Sequence, residues 1–193
     1  MRTLTISKTL AKFEELSDAQ QRKVIEENYD MNVSDSFWHE CVTDDAIEIA
    51  ALLGIDISNV YFSGFSSQGD GACFEGSFRH VKGSVAKVKA FAPQDTELHA
   101  IAKTLQDLHR RAFYSVTGTV RQYGHYVHKR SMRIDIASDY GSCDESDWLE
   151  AFADFALWIY RRLEKEYEYQ TSEEVIRESI TANEMEFEVE TDD

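Results

Sequence analysis

The chain holds one proline, Pro93, and three cysteines, Cys41, Cys73 and Cys143, in 193 residues. The cysteines are odd in number, widely spaced and form no C-x-x-C pair, so neither a disulfide framework nor a cysteine zinc site is indicated. Reduced, mostly buried thiols are the simplest reading. Apolar runs are short. None approaches the roughly 18 residues that a membrane span needs, and the stretch from Met1 to Leu16 lacks the apolar centre of a secretory signal. A cytoplasmic protein without a membrane partner is expected. Low-complexity linkers and internal repeats are missing too, which points to a single domain over residues 1–180 followed by an acidic tail over 181–193, extended or disordered.

Basic residues are scarce in one region above all. Residues 135–193 carry 4 Lys and Arg against 19 Asp and Glu, whereas residues 1–134 carry 16 against 17, so nearly all of the net charge of −16 belongs to the last third. Such a field repels nucleic-acid phosphates and attracts basic surfaces over a Debye length of about 8–10 Å. Direct nucleic-acid binding by that part is not expected. With 42% hydrophobic residues the chain can still fill a core, which argues against wholesale disorder.

The stretch from Tyr61 to Phe78 organises the rest. Tyr61, Ser63 and Phe65 alternate with Phe62 and Gly64, and Cys73, Glu75 and Ser77 alternate with Ala72, Phe74 and Phe78. Two strands joined across Ser66-Ser67-Gln68-Gly69-Asp70-Gly71 are expected, with Asp-Gly supplying the positive φ angles of a tight hairpin. Upstream, Ser17 and Gln20 form a capping box for a polar helix to about Asn28. A second helix is expected from Ser34 or Asp35, with Trp38, Val42, Ala46, Ile49 and Leu53 on one stripe and Gly54 as its stop.

Downstream, Val81 to Val88 reads as a third strand broken by Gly83, and Pro93 sits where a helix start tolerates it. Leu98, Ile101, Leu105, Leu108 and Ala112 then mark a helix. The segments 115–122 and 132–138 alternate with period two and predict a second hairpin around a tyrosine- and histidine-rich loop. Ser142 and Glu145 read as a capping box for the longest helix, whose stripe is Trp148, Phe152, Phe155, Ile159 and Leu163, with the pattern dissolving from Glu164. A last helical turn is expected over Glu173 to Ile180. The order α-α-β-β-(β)-α-β-β-α gives an α+β fold: an antiparallel sheet of four to five strands in two hairpins, helices on one face.

Two stretches carry possible chemistry. In the loop Gln68, Gly69, Asp70 and Gly71, glycines let backbone amides approach an anion, with Gln68 and Asp70 as contacts. The same residues also suit a purely structural turn, and they lack the Lys-Ser/Thr and the following helix of a phosphate loop. His125 and His128 lie three apart, without the tighter pairing of a zinc site. No catalytic residue, metal or cofactor is indicated. The segment Asp139 to Asp147 departs from the ligand pattern of a calcium loop and suits a turn into a capped helix.

Phe62-Ser63-Gly64-Phe65, followed by Ser67-Gln68-Gly69-Asp70-Gly71-Ala72 and Phe74, with Ala182-Asn183-Glu184-Met185-Glu186-Phe187 near the C-terminus, resembles a group of small uncharacterised proteins of bacteriophages and mobile elements. The resemblance implies a context in a bacterial host: an accessory protein that binds and disables a host component. The favoured expectation is a non-catalytic inhibitor whose acidic C-terminal surface imitates nucleic acid and occupies a basic, nucleic-acid-binding host protein. Its contacts are Glu164, Glu166, Glu168, Glu173, Glu174 and Glu178, with Tyr167 and Tyr169 as aromatic anchors. A solvated helix face explains the same run. The alternative is a small-ligand or enzymatic domain centred on Gln68, Asp70 and the tyrosine-histidine loop.

Overall fold

Strand pairing near the two ends of the chain and strand pairing in its middle bury two separate sets of apolar residues, and the computed structural model divides accordingly. It describes residues 9–139 and 144–189. One compact unit takes in the chain through Trp38 together with Glu166 onward; the other runs from His39 to Lys165. A single domain over 1–180 was expected. The difference arises because residues assigned to a tail form a strand, Glu186–Val189, that pairs antiparallel with Thr9–Lys12, Ala11 opposite Phe187. Residues 190–193 of that tail lie outside the described residues.

In this smaller unit β1 (Thr9–Lys12) leads through a short 3-10 turn into α1 (Asp18–Glu27). Ser17 and Gln20 make the expected capping box. The helix is less polar in use than in composition, because Val24 and Ile25 join Phe13, Leu16, Ile176 and Ile180 in the unit's own core. The last two belong to α6 (Glu173–Ala182), which is capped by Ser172 and precedes β6 (Glu186–Val189).

The larger unit contains most of α2 (Phe37–Leu53) and a four-stranded antiparallel sheet in the order β2 (Ile55–Phe62), β3 (Ala72–Arg79), β4 (Thr117–Gln122), β5 (Met132–Ala137). Gly54, at φ +87°, ends α2 and turns the chain into β2. The α+β class and the two hairpins stand as expected; β2 begins six residues earlier than Tyr61, at Ile55. Between the hairpins lie α3 (Ser84–Phe91) and α4 (Thr96–Arg111).

The third strand expected from Val81 to Val88 is therefore a helix. Gly83 adopts φ +76° and turns the chain out of β3, and Val85 and Val88 then share a face at a spacing of three, with Val88 wholly buried. Pro93 precedes α4 in a turn that Asp95 closes; Asp95 caps the helix by accepting from the Leu98 N–H at 2.9 Å. Its other oxygen accepts from Trp158 Nε1 at 2.8 Å and from Arg162. Burial alone would raise the Asp95 carboxyl, yet these donors hold it below the usual carboxylate range.

α5 (Glu145–Gln170) runs past Glu164, where the apolar pattern stops, because the following residues still suit a helix. Ser142 and Cys143 of the expected capping box lie outside the described residues; Asp144 accepts from the Ser146 N–H at 2.9 Å. The stripe Trp148, Phe152, Phe155, Ile159 and Leu163 is buried throughout. Phe74 meets Phe152 and Phe155 at 6.0 and 5.8 Å, and Phe78 meets Trp148 and Phe152 at 5.2 and 4.8 Å.

Gly118 lies opposite Phe78 in the sheet, and a methyl group there would sit 2.7 Å from the Phe78 ring. Gly118→Ala is expected to lower stability by about 1–3 kcal/mol. Gly69→Ala, whose added carbon meets open space, is expected to stay within about 0.5 kcal/mol of the parent protein in the same urea unfolding experiment.

His109 of α4 is 4% exposed, its ring 4.7 Å from Trp148 and 5.4 Å from His80, and its Nδ1 has no hydrogen-bond partner among the described residues. Burial, with a smaller push from His80, lowers its pKa from 6.5 to about 4. The unfolded chain therefore takes up this proton first as pH falls. Stability contributed by neutral His109 is present above about pH 6.5 and declines, by at most about 1.4 kcal/mol per pH unit, down to about pH 4. His109→Phe should flatten the stability profile in that window, measured by urea unfolding at successive pH values.

Candidate functional site

In an antiparallel run of β2, β3, β4 and β5, the loops of the two hairpins leave the sheet at the same end, whereas α3 and α4 connect β3 to β4 at the other. The 63–71 and 123–131 loops are thereby brought side by side. The first is nine residues long, wider than the tight Asp-Gly turn expected, and neither Gly69 nor Gly71 takes a positive φ. Asp70 organises it instead: its Oδ2 accepts from the Ser66 and Ser67 amides at 3.0 and 2.6 Å, while its own amide donates to Ser67 O at 3.0 Å. Ser63 closes the base, donating through its amide to Gly71 O and accepting the Gly71 N–H, both at 3.0 Å.

The second loop is also built on local hydrogen bonds. Ser131 Oγ donates to His128 O at 2.6 Å and accepts from the His128 N–H at 3.0 Å, and the Tyr123 N–H reaches Ser131 O at 2.6 Å. Gly124, at φ +92°, lets the chain turn away, and Gln122 Nε2 donates to its carbonyl at 2.8 Å. The Arg130 N–H donates to His128 Nδ1 at 3.2 Å, which makes Nδ1 the acceptor and leaves the ring proton on Nε2. Ser63 Oγ donates to Val127 O at 3.3 Å, and the Gly71 backbone fits closely against the His128 ring. Beneath this loop Cys73 is fully buried, and burial raises its thiol pKa against hydrogen bonds from Ser131 and His128.

Between the loops lies a cleft of about 430 Å³, within the range of small-molecule sites. Gln68 and Gly69 form one side; Tyr123, Gly124, His125, Tyr126, His128, Arg130 and Ser131 form the other. Tyr126 is 75% exposed and Tyr123 57%, and the Arg133 guanidinium lies 3.2 Å from the Tyr123 ring centre. Among the described residues no cluster of three or more His, Cys, Asp and Glu side chains is arranged to hold a metal ion.

Of the residues singled out in the sequence, Gln68 and Gly69 line the cleft with the tyrosine-histidine loop, whereas Asp70 and Gly71 support it from behind. Arg130 and Arg133 were missed. The signal for them is present: the segment from Arg121 to Arg133 holds four Arg and Lys and no acid, in a chain of net charge −16.

The acidic candidates fall differently. Glu164 belongs to the larger unit, and Glu166, Tyr167, Glu168, Tyr169, Glu173, Glu174 and Glu178 to the smaller. Tyr167 packs edge-on to Trp38 at 5.7 Å, Glu166 accepts from Gln170 Nε2 at 2.8 Å, and Glu173 pairs with Arg177 at 3.3 Å. Glu168, Tyr169, Glu173, Glu174 and Glu178 are exposed.

A family model described as Domain of unknown function (DUF8835) matches residues 38–173, well over half of the chain and the whole of the larger unit. The chain belongs to that family. No curated protein and no solved structure matches it. Among the described residues no helix is long and apolar enough to cross a membrane.

Because Asp70 holds two amides of the first loop, Asp70→Ala is expected to speed amide exchange at Ser66 and Ser67 about tenfold and to cost about 1 kcal/mol of stability. Exchange measured by NMR, residue by residue, checks whether the effect stays within 63–71.

Proposed function

We propose that the larger unit is a small-molecule-binding domain whose ligand occupies the cleft between the 63–71 and 123–131 loops. The observation that carries this reading is the convergence of two rigidified loops, 60 residues apart in the chain, on one concavity lined by exposed tyrosines, an arginine and an amide side chain. Binding sites of this kind combine aromatic walls with a few placed polar groups. Loops held by a sheet supply such groups without large ordering cost.

The acidic surface makes the weaker case for a partner site. Glu166 and Tyr167 are half-buried and engaged by Gln170 and Trp38, and Glu173 is exposed but paired with Arg177. An inhibitor acting on a basic host protein would rely mainly on the exposed Glu168, Tyr169, Glu173, Glu174 and Glu178.

Amide spectra recorded against a library of soluble metabolites test the cleft. The expected result is a compound whose resonance shifts cluster in 63–71 and 123–131, with affinity reduced about tenfold in Tyr126→Ala at unchanged thermal stability, as loss of one aromatic stacking partner implies. Shifts confined to other surfaces, or none with any compound, would overturn the reading.

A further inference from the structure

We infer that the ligand of this cleft is a free nucleoside monophosphate, its base stacked on Tyr123 or Tyr126 and its phosphate held by Arg130 and the loop amides; this rests on the cleft being a ligand site. The charge pattern selects an anion. Arg110, Arg111, Arg161, Arg162 and Arg177 each pair with a carboxylate; Arg22, Arg79, Arg121, Arg130 and Arg133 pair with none among the described residues, and of these Arg130 lines the cleft. At the cleft wall, Arg130 without a carboxylate partner has its planar fork of donors available to a ligand oxyanion.

The backbone adds donors at the same place. Among the described residues the amides of Gly69 and Gly124 make no hydrogen bond, both glycines line the cleft, and neither bears a side chain that would screen its backbone from an anion. The His128 ring, with its proton on Nε2, lines the same cleft.

The aromatic part selects a planar ring. Tyr123 carries the Arg133 guanidinium on one face and still keeps 57% of its surface exposed, so a ligand ring on the free side would extend a stack already begun. The volume of about 430 Å³ suits one nucleotide rather than a longer chain. A polynucleotide would in addition meet the repulsion of the net charge of −16.

The test titrates the full chain with AMP, adenosine, inorganic phosphate and a twelve-nucleotide single strand, followed by amide spectra and calorimetry. AMP is expected to shift the cleft resonances and to bind about tenfold or more tightly than adenosine. That preference should vanish in Arg130→Gln and be partly kept in Arg130→Lys, as loss of a charge-assisted contact implies. The oligonucleotide should bind no better than AMP.

Equal binding of AMP and adenosine at the cleft would overturn the phosphate assignment and leave the cleft reading standing. Tighter binding of the oligonucleotide would overturn the assignment to a free nucleotide. No shift with any of the four would overturn the nucleotide inference, and the metabolite library then decides separately whether the cleft binds anything. Unchanged thermal stability of both Arg130 variants excludes unfolding as the cause of lost binding.

Discussion

Phe74 and Phe78 project from β3 onto the aromatic stripe of α5, and most of the larger unit is placed by that contact. β3 is an interior strand, so fixing it fixes β2 on one side and β4 on the other. The absence of a side chain at Gly118 allows the Phe78 ring to lie flat enough to reach Trp148 and Phe152. Trp158, farther along α5, gives its indole proton to Asp95, the cap of α4, so the same helix orients the next one. Burial of large rings supplies the attraction, and the few hydrogen bonds inside it decide orientation.

The cleft depends on this arrangement without sharing its chemistry. A sheet held from one face leaves its hairpin loops free to carry polar and aromatic groups, and here each loop is stiffened by its own hydrogen bonds. Asp70 and Ser63 do this on one side, Ser131 and His128 on the other. Groups that look chemically suggestive in the sequence are thus partly scaffolding, while Arg130, unremarked there, stands at the surface of the cleft.

Acidity and the cleft are complementary features of one chain. A net charge of −16 repels polyanions at modest salt. Residues 79–89 and 121–133 each hold four cations and no acid, and the second stretch coincides with the loop that lines the concavity.

Periodicity in the sequence determined α2, α4, the start of α5 and the second hairpin, and a capping box marked α1, because residues such as Leu98, Ile101 and Leu105, or Met132 and Ile134, bury at spacings only one backbone geometry permits. It also marked Gln68, Gly69 and the tyrosine-histidine loop as candidates. Tertiary structure decided the rest. The segment from Val81 to Val88 reads as a broken strand, yet Gly83 in the left-handed region leads into a helix in which Val85 and Val88, three apart, share a face. The strands Thr9–Lys12 and Glu186–Val189 are too short and too polar to signal themselves, and exist because each supplies the other's backbone partners. That Gln68 and Arg130 line one cleft follows from strand order, a property of nonlocal pairing that local sequence patterns do not encode.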